Sequence, residues 1–487
     1  MQFTFVSIVF VLTFLILFYS LRTEARPYIL CIASIIYPFF LSHTAGLAII
    51  VISLIVYTGG LLVGYLNTAG RKKISSFLVI LTITMIVGTM ILTKYLGKTL
   101  LFFIDRDLFM FSIPENSYLF SIVIPLGFSF YGFQAISYIL DVYNGEIQAE
   151  KNIVLFHIYM AWFPKFISGP IERADEFIQQ LHSVYQTKLF NAYKIKKSAS
   201  YILIGCFFKI VVADRIAPLV NPVFLSPESY SRLILIITAI LFAIQIYCDF
   251  AGYSMFAIGV SELFGIKLTE NFSAPYLSHD INEFWDRWHI SLSRWLKKYI
   301  YIPLGGNRKS IRRKYLNIMI VFLISAIWHG AGLGFIIWGL LHGIYSVIDN
   351  FILHSRYSGI KKGFIGRCIT FVSVSFAWIF FYTGSVNNAI HYIKALLITP
   401  GEFGIVNQLT LMKNDIVLFV DTAVLLAVIF VMVLFDVVIY KKTLSKMIEN
   451  MPLICWCLML WIVILLVAIL GTYGPGLDAG QMIYMQF

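Results

Sequence analysis

The sequence predicts an all-α, polytopic membrane protein, and three observations lead there. Hydrophobic residues make up 59% of the 487-residue chain and charged residues 13%, against about 45–50% and about 25% in soluble domains. That leaves too little polar surface to coat a water-soluble body. Uncharged runs longer than the roughly 20 residues needed to cross a bilayer recur along the whole length. Those runs lack the roughly ten-residue alternation of a membrane barrel, and a helix satisfies its own backbone groups in lipid. About eleven or twelve spans are expected, with interfacial and broken or re-entrant helices among them.

Taken in order, the opening stretch MQFTFVSIVFVLTFLILFYSLRTEAR places Arg22 and Arg26 after its apolar run. No A-x-A-like cleavage site follows, so it reads as a retained first span with its N-terminus outside the cytoplasm and the arginines at the inner face. Residues 27 to 70 contain no Asp, Glu, Lys or Arg, too long for one crossing. Two spans are predicted there, hinged near Ser42 and His43 with Gly46 following, before Arg71, Lys72 and Lys73 return the chain to the cytoplasmic face. Further apolar runs lie near 76–93, 118–140, 153–171, 198–221, 233–261, 315–348, 368–390, 416–440 and 452–477. The run from Tyr315 to Ile348 would extend about 50 Å as one helix, beyond a hydrocarbon core of about 30 Å. It is predicted to break at WHGAGLGF, where Gly330, Gly332 and Gly334 loosen the helix and permit close approach.

The 37 Lys+Arg against 25 Asp+Glu give a net charge of +12. Basic residues gather in short loops between apolar runs, as the positive-inside rule and contact with anionic membrane lipid produce. No compact basic domain stands apart, which argues against nucleic acid. Most of the six cysteines lie in apolar stretches and form no zinc or disulfide framework, so no metal is expected. The absence of GxGxxG, Walker, HExxH and GxSxG motifs argues against dinucleotide, ATP, zinc-protease and serine-hydrolase chemistry.

Among the more polar stretches, 265–314 is the least like a plain loop. Phe284, Trp288, Ser291 or Leu292, and Trp295 fall on one face of a helix. Asp280 or Asn282 can cap its start, and Pro303, Gly305 and Gly306 end it. Arg287, Arg294, Lys297 and Lys298 occupy another face, which predicts an amphipathic helix at the membrane interface.

Three features carry candidate chemistry. His329 stands at the predicted break near membrane mid-depth, where irregular backbone is tolerated only if packed in protein or lining a cavity; a packing role and a reacting role both fit. Asp249 is the only acidic or basic residue between Arg232 and Glu262, so it requires a partner, structural or functional. From Arg287 to Lys314 there are nine basic residues and no acid. Arg287, Arg294, Lys297, Lys298 and Arg308 could receive the phosphates of a coenzyme, or serve only as the inner-face signal.

These pieces together resemble the membrane-bound O-acyltransferase family, in its bacterial alginate and peptidoglycan O-acetylation branch, which is related to the D-alanyl transfer protein of teichoic acid modification. The resemblance runs through SFYGFQAISYILDVYNGEI from Ser129, FPKFISGPIER from Phe163, QIYCDFAGYSMFAIG from Gln245 and ENFSAPYLSHDINEFWDRWHISLSRWLKKYIYIPLGGNR from Glu270. It continues in SAIWHGAGLGFIIWGLLHG from Ser325 and the terminal MIYMQF. It implies helices around a central tunnel, with His329 as the general base and His289, in FWDRWHISLS, as the second family position. Trp285, Trp288 and Asp249 then belong to the wall or its support, and Gly332 lines the acyl route. Tyr484 in the terminal motif is implied as an acyl carrier, although Met482 and Met485 replace the usual aromatics; anchoring of the tail is the plainer role.

The resemblance also implies acetyl-CoA as donor, no permanently bound cofactor, a polysaccharide acceptor, and an extracytoplasmic SGNH/hydrolase-like acetyltransferase subunit. The setting it implies is a bacterial cytoplasmic membrane. The organisation expected is a single membrane domain over 1–487, with a catalytic region at 265–348 and a tail at 478–487. Two alternatives stand: acylation of teichoic acid, lipid or protein, and a proton-coupled transporter, which a buried His and Asp would also suit. No second broken helix pairs with WHGAGLGF as a transporter repeat would.

Overall fold

The computed structural model describes residues 5–96, 125–186, 191–353, 363–398 and 416–472. The described residues contain helices and turns and no strand. Eight of the helices are long and apolar enough to cross a membrane. The chain separates into two compact units, one of residues 1–195 and 260–269, the other of 196–259 and 270–487.

The first unit begins with α1 (Phe5–Ser20), α2 (Arg26–Leu41), α3 (His43–Thr68) and α4 (Lys72–Ile91). The predicted hinge between the second and third spans is there: Ser42 is extended, at φ −166° and ψ 137°, between two helices. Next come α5 (Phe128–Tyr143), α6 (Ile153–Ala161) and α7 (Ala174–His182). The predicted run 153–171 forms only the nine-residue α6, capped by the Asn152 side chain, and then a short turn. From Leu155 onward its residues are buried against protein; Phe156, Ile158, Tyr159 and Trp162 are fully enclosed. Polar pairing ties the unit together, with Trp162 Nε1 donating to Ser261 Oγ at 2.8 Å and buried Lys165 donating to Gln134 Oε1 at 2.5 Å.

The second unit takes in α8 (Ala192–Cys206) from Lys196 onward, a π-helical turn at Phe207–Ala213, α9 (Asp214–Leu225) and the long α10 (Arg232–Leu263) as far as Gly259. Two short helices follow, α11 (Ile281–Arg287) and α12 (Ile290–Leu296). Here the structure corrects the single amphipathic helix expected from sequence. Asp280 does cap the start by accepting from the Glu283 N–H, but the chain breaks at Trp288 and His289. The apolar face survives the break, since Phe284, Trp288, Leu292 and Trp295 are all buried.

The 34-residue apolar run divides as its glycines predict, into α13 (Ile311–His329) and α14 (Leu333–Leu353). The two pack closely because Gly339 lies against the Phe322 carbonyl, where a Cβ would sit 2.7 Å from the oxygen. After them come α15 (Phe364–Thr383), α16 (Val386–Ile398), α17 (Ile416–Lys441), α18 (Leu444–Asn450) and α19 (Leu453–Leu470).

Candidate active site

The site lies wholly in the second unit, where α13 ends. His329 is the last residue of α13, and its imidazole is only 4% exposed. Nδ1 sits 2.7 Å from the Ser325 carbonyl oxygen. A carbonyl only accepts, so in the neutral ring Nδ1 carries the proton and Nε2 the lone pair. Aromatic rings surround the imidazole, with centroids at 4.7 Å for Trp328, 4.8 Å for Trp338 and 5.4 Å for Phe381.

His289 is placed at the break between α11 and α12 in the left-handed conformation, φ 44° and ψ 54°. Two backbone N–H groups beyond it fasten the turn to the 270–273 strap: Ile290 donates to the Asn271 carbonyl at 3.0 Å and Ser291 to Asn271 Oδ1 at 3.1 Å. The ring is fully buried, edge-on to Phe250 at 4.8 Å and 6.1 Å from Trp328. Burial first, and then the nearby His329, hold its pKa well below 6.5, so it is neutral at physiological pH. His289 and His329 thus share the Trp328 indole.

A third histidine, which sequence reading passed over, completes the cluster. His342 on α14 is fully buried, and its ring and that of His329 both lie against Trp338, at 5.1 and 4.8 Å. Trp285 Nε1 lies 3.2 Å from His342 Nδ1. An indole N–H only donates, so Nδ1 accepts and Nε2 bears the proton. The available signal was the four-residue spacing of Trp338 and His342, which puts both on one helix face.

The other predicted residues take varied places. Trp285 reaches the cluster through His342, and Trp288 packs between Phe284 at 5.5 Å and Trp378 at 5.1 Å. Asp249 is held in a buried ion pair with Lys209 Nζ at 2.6 Å, and the same ammonium meets Asp214 at 2.8 Å. Gly332 lies against the end of α15: a Cβ there would fall 1.9 Å from the Gly384 carbonyl oxygen. Arg287 is occupied, donating to Glu283 and to the Ser273 carbonyl and covering the Tyr440 ring at 4.1 Å. Arg294, Lys297 and Arg308 are exposed, and Lys298 lies over Tyr299. Tyr484 lies outside the described residues. Among those described, no cluster of His, Cys, Asp and Glu could hold a metal ion.

The arrangement suits proton transfer in a dry site. It offers one imidazole with a defined lone pair, a second neutral imidazole beside it, and walls of indole and phenyl that exclude water.

Comparison with known proteins agrees in kind. Residues 150–389 match the family model described as MBOAT, membrane-bound O-acyltransferase family. The chain is 34% identical over 281 residues to "Probable alginate O-acetylase AlgI" of Pseudomonas putida, covering 56% of each chain. It is 34% identical over 302 residues to "Peptidoglycan O-acetyltransferase" of Helicobacter pylori, 57% of each. Against "Teichoic acid D-alanyltransferase" of Streptococcus thermophilus it is 31% identical over 243 residues, 47% of this chain and 58% of that one. The chain spans a little over half the length of these relatives.

Proposed function

Because residues 150–389 match the membrane-bound O-acyltransferase family model, we propose that this multi-pass membrane protein transfers an acyl group, acetyl in the first instance, from a thioester to a hydroxyl. The proposed donor is acetyl-CoA on the cytoplasmic side. The proposed acceptor is a cell-envelope or exported polysaccharide, reached through an extracytoplasmic hydrolase-like acetyltransferase subunit, and the proposed setting is a bacterial cytoplasmic membrane. Relatives named for alginate and peptidoglycan O-acetylation favour acetyl and polysaccharide. Those named for teichoic acid D-alanylation make a D-alanyl thioester the second donor to try.

The observation that carries this reading is the Nδ1 bond of His329 to the Ser325 carbonyl, which fixes Nε2 as the basic atom. In the proposed step Nε2 takes the proton of the attacking hydroxyl as its oxygen adds to the thioester carbonyl carbon. The tetrahedral intermediate collapses with cleavage of the C–S bond, and the departing thiolate takes the proton back from Nε2. The products are an ester and a free thiol. His289, neutral and beside Trp328, keeps its place as a positioning group. A charged coenzyme crosses lipid only at high cost, whereas a two-carbon acyl group is small enough to be handed on inside protein. Tyr484 is the proposed intermediate acceptor.

The test uses the purified full-length protein and isotope-labelled acetyl-CoA, with thioester turnover and covalent label followed by mass spectrometry. Turnover is expected in wild type and is expected to fall by about 10²- to 10⁴-fold in His329→Ala, the usual range for a general base. Normal turnover by that variant removes the base assignment. Label on Tyr484 in wild type and not in His329→Ala supports relay; label on acceptor alone removes the carrier role.

A further inference from the structure

Two buried donors beside His329 have no protein partner. Trp338 is fully enclosed, and its Nε1 has no hydrogen-bond partner among the described residues. An indole nitrogen is a donor and nothing else. The same holds for Nε2 of His342, which is buried and without a partner. Its proton is assigned by the bond at the other side of the ring, where Trp285 Nε1 donates to Nδ1 at 3.2 Å. The two donors are one helical turn apart on α14 and therefore share a face.

Leaving a buried N–H unsatisfied forfeits the hydrogen bond it made to water, so a pair of such donors next to the candidate base calls for a reason. Neither ring is loosely held. His342 lies parallel to Phe284 and Phe322, each at 6.1 Å, and Trp338 lies parallel to Trp378 at 5.8 Å. Packing therefore fixes where the donors sit before any substrate arrives. That is the condition under which hydrogen bonds lower a barrier, since no reorganisation is left for the moment of reaction.

The geometry points to Trp338 Nε1–H and His342 Nε2–H as the oxyanion donors of the acyl-transfer step, catalytic residues that receive the carbonyl oxygen of the thioester beside the His329 base. This rests on the acyltransferase reading above. As the hydroxyl oxygen adds to the carbonyl carbon, the C=O pair moves onto oxygen, and the two N–H groups gain the partner they lack. When the C–S bond breaks the pair returns to the carbonyl, so the donors gain and lose no proton. His329 carries all proton transfer through Nε2.

The test compares Trp338→Phe and His342→Phe, which keep an aromatic ring and delete the donor, with His342→Gln, which restores an N–H donor. In the full-length protein turning over labelled acetyl-CoA, each Phe variant is expected to lower kcat and kcat/KM together by about 10²-fold or more. His342→Gln is expected to recover part of the loss. Because Trp338→Phe also loses volume, the same position is filled with 3-benzothienylalanine, where sulfur replaces the N–H in an otherwise similar ring. Retention of kcat within about threefold of wild type by that variant and by His342→Phe overturns the proposal.

A second readout needs no turnover. In His329→Ala, the carbonyl stretch of bound 1-13C-acetyl-CoA is expected below its free value, and removing the Trp338 donor is expected to move it back. A bound carbonyl with no shift also overturns the proposal. If wild type consumes no thioester, acetyl or D-alanyl, the acyltransferase reading itself fails. Normal turnover with unaffected donor variants removes only the oxyanion assignment.

Discussion

His289 and Ala274 are the non-glycine residues with positive φ among those described, at 44° and 47°. The left-handed conformation costs an ordinary residue about 1–2 kcal/mol, less for Asn, whose short polar side chain bonds locally. A β-branched residue is worse still. His289→Val is therefore expected to lower stability in detergent by at least about 1 kcal/mol more than His289→Asn, read as the difference in thermal midpoint. The same ring gives a pH dependence. Its folded pKa lies well below the unfolded 6.5, so below pH 6.5 the unfolded chain binds a proton that the folded one refuses. Stability is fully present above pH 6.5 and falls as the pH drops, by up to about 1.4 kcal/mol per unit for one proton. Melting curves from pH 7 to 5 are expected to flatten in His289→Asn, and an unchanged slope contradicts the neutral assignment. Asp249 shows where sequence reading stops at this scale. Its isolation in an apolar run signals that it needs a partner, but Lys209 lies 40 residues away and only the fold brings it within 2.6 Å. Lys209→Met removes the ammonium that pairs with both Asp249 and Asp214 and is expected to cost about 3–5 kcal/mol, measured by denaturation. The place of His329 at the glycine break was legible for the opposite reason, because its setting is local. The place of His342 was not, since its tautomer is set by Trp285 across 57 residues.

At the scale of elements, periodicity identified the buried face of 281–296 but not its break. Phe284, Trp288, Leu292 and Trp295 sit where a single helix would place an apolar stripe, and all four are buried. The break is set by Asn271, which pairs with the backbone just past His289, a contact that no helical periodicity contains. The break between α13 and α14 was readable because glycines mark it, but the reason they are glycines was not. Gly332 and Gly334 lie against the backbone at Gly384, with Gly334 N–H donating to the Gly384 carbonyl at 3.1 Å. Substitution at Gly332 therefore acts on the joint between helices, whatever it does to an acyl route. Gly332→Ala is expected to lose about 1–3 kcal/mol through overpacking. Gly88 in α4 supplies the contrast, since a Cβ there meets nothing within 4 Å. Gly88→Ala is expected to be neutral or stabilising by up to about 1 kcal/mol, and the comparison is made by thermal midpoint in one detergent. Equal loss at both positions removes the packing argument.

For the molecule as a whole, hydropathy identified a membrane protein but not which apolar surface meets lipid. The run at 153–171 is as apolar as a span, yet protein encloses it from Leu155 on and its helix is nine residues long. Hydropathy scores the side chain and is blind to whether lipid or a neighbouring helix does the burying. The converse is α19, an 18-residue helix with a mean hydropathy of 3.1 over the span and none of it buried. In water such a surface would have no stable explanation, since Trp461 and Ile462 at its centre are 64% and 57% exposed. If lipid solvates it, a charge there is expensive, about 2.5–3.5 kcal/mol for Arg at a span centre on an insertion scale. If water did, the same change would be neutral. Ile462→Arg is therefore expected to reduce the yield of membrane-inserted, monodisperse protein. Leu225→Arg makes the matched control, because Leu225 is 81% exposed at the C-terminus of α9, three residues from Glu228. There the long side chain can carry its charge to the interface, and normal yield is expected. Equal yields for the two variants would mean that the exposed face of α19 is not lipid-facing, and that another protein surface covers it in the membrane.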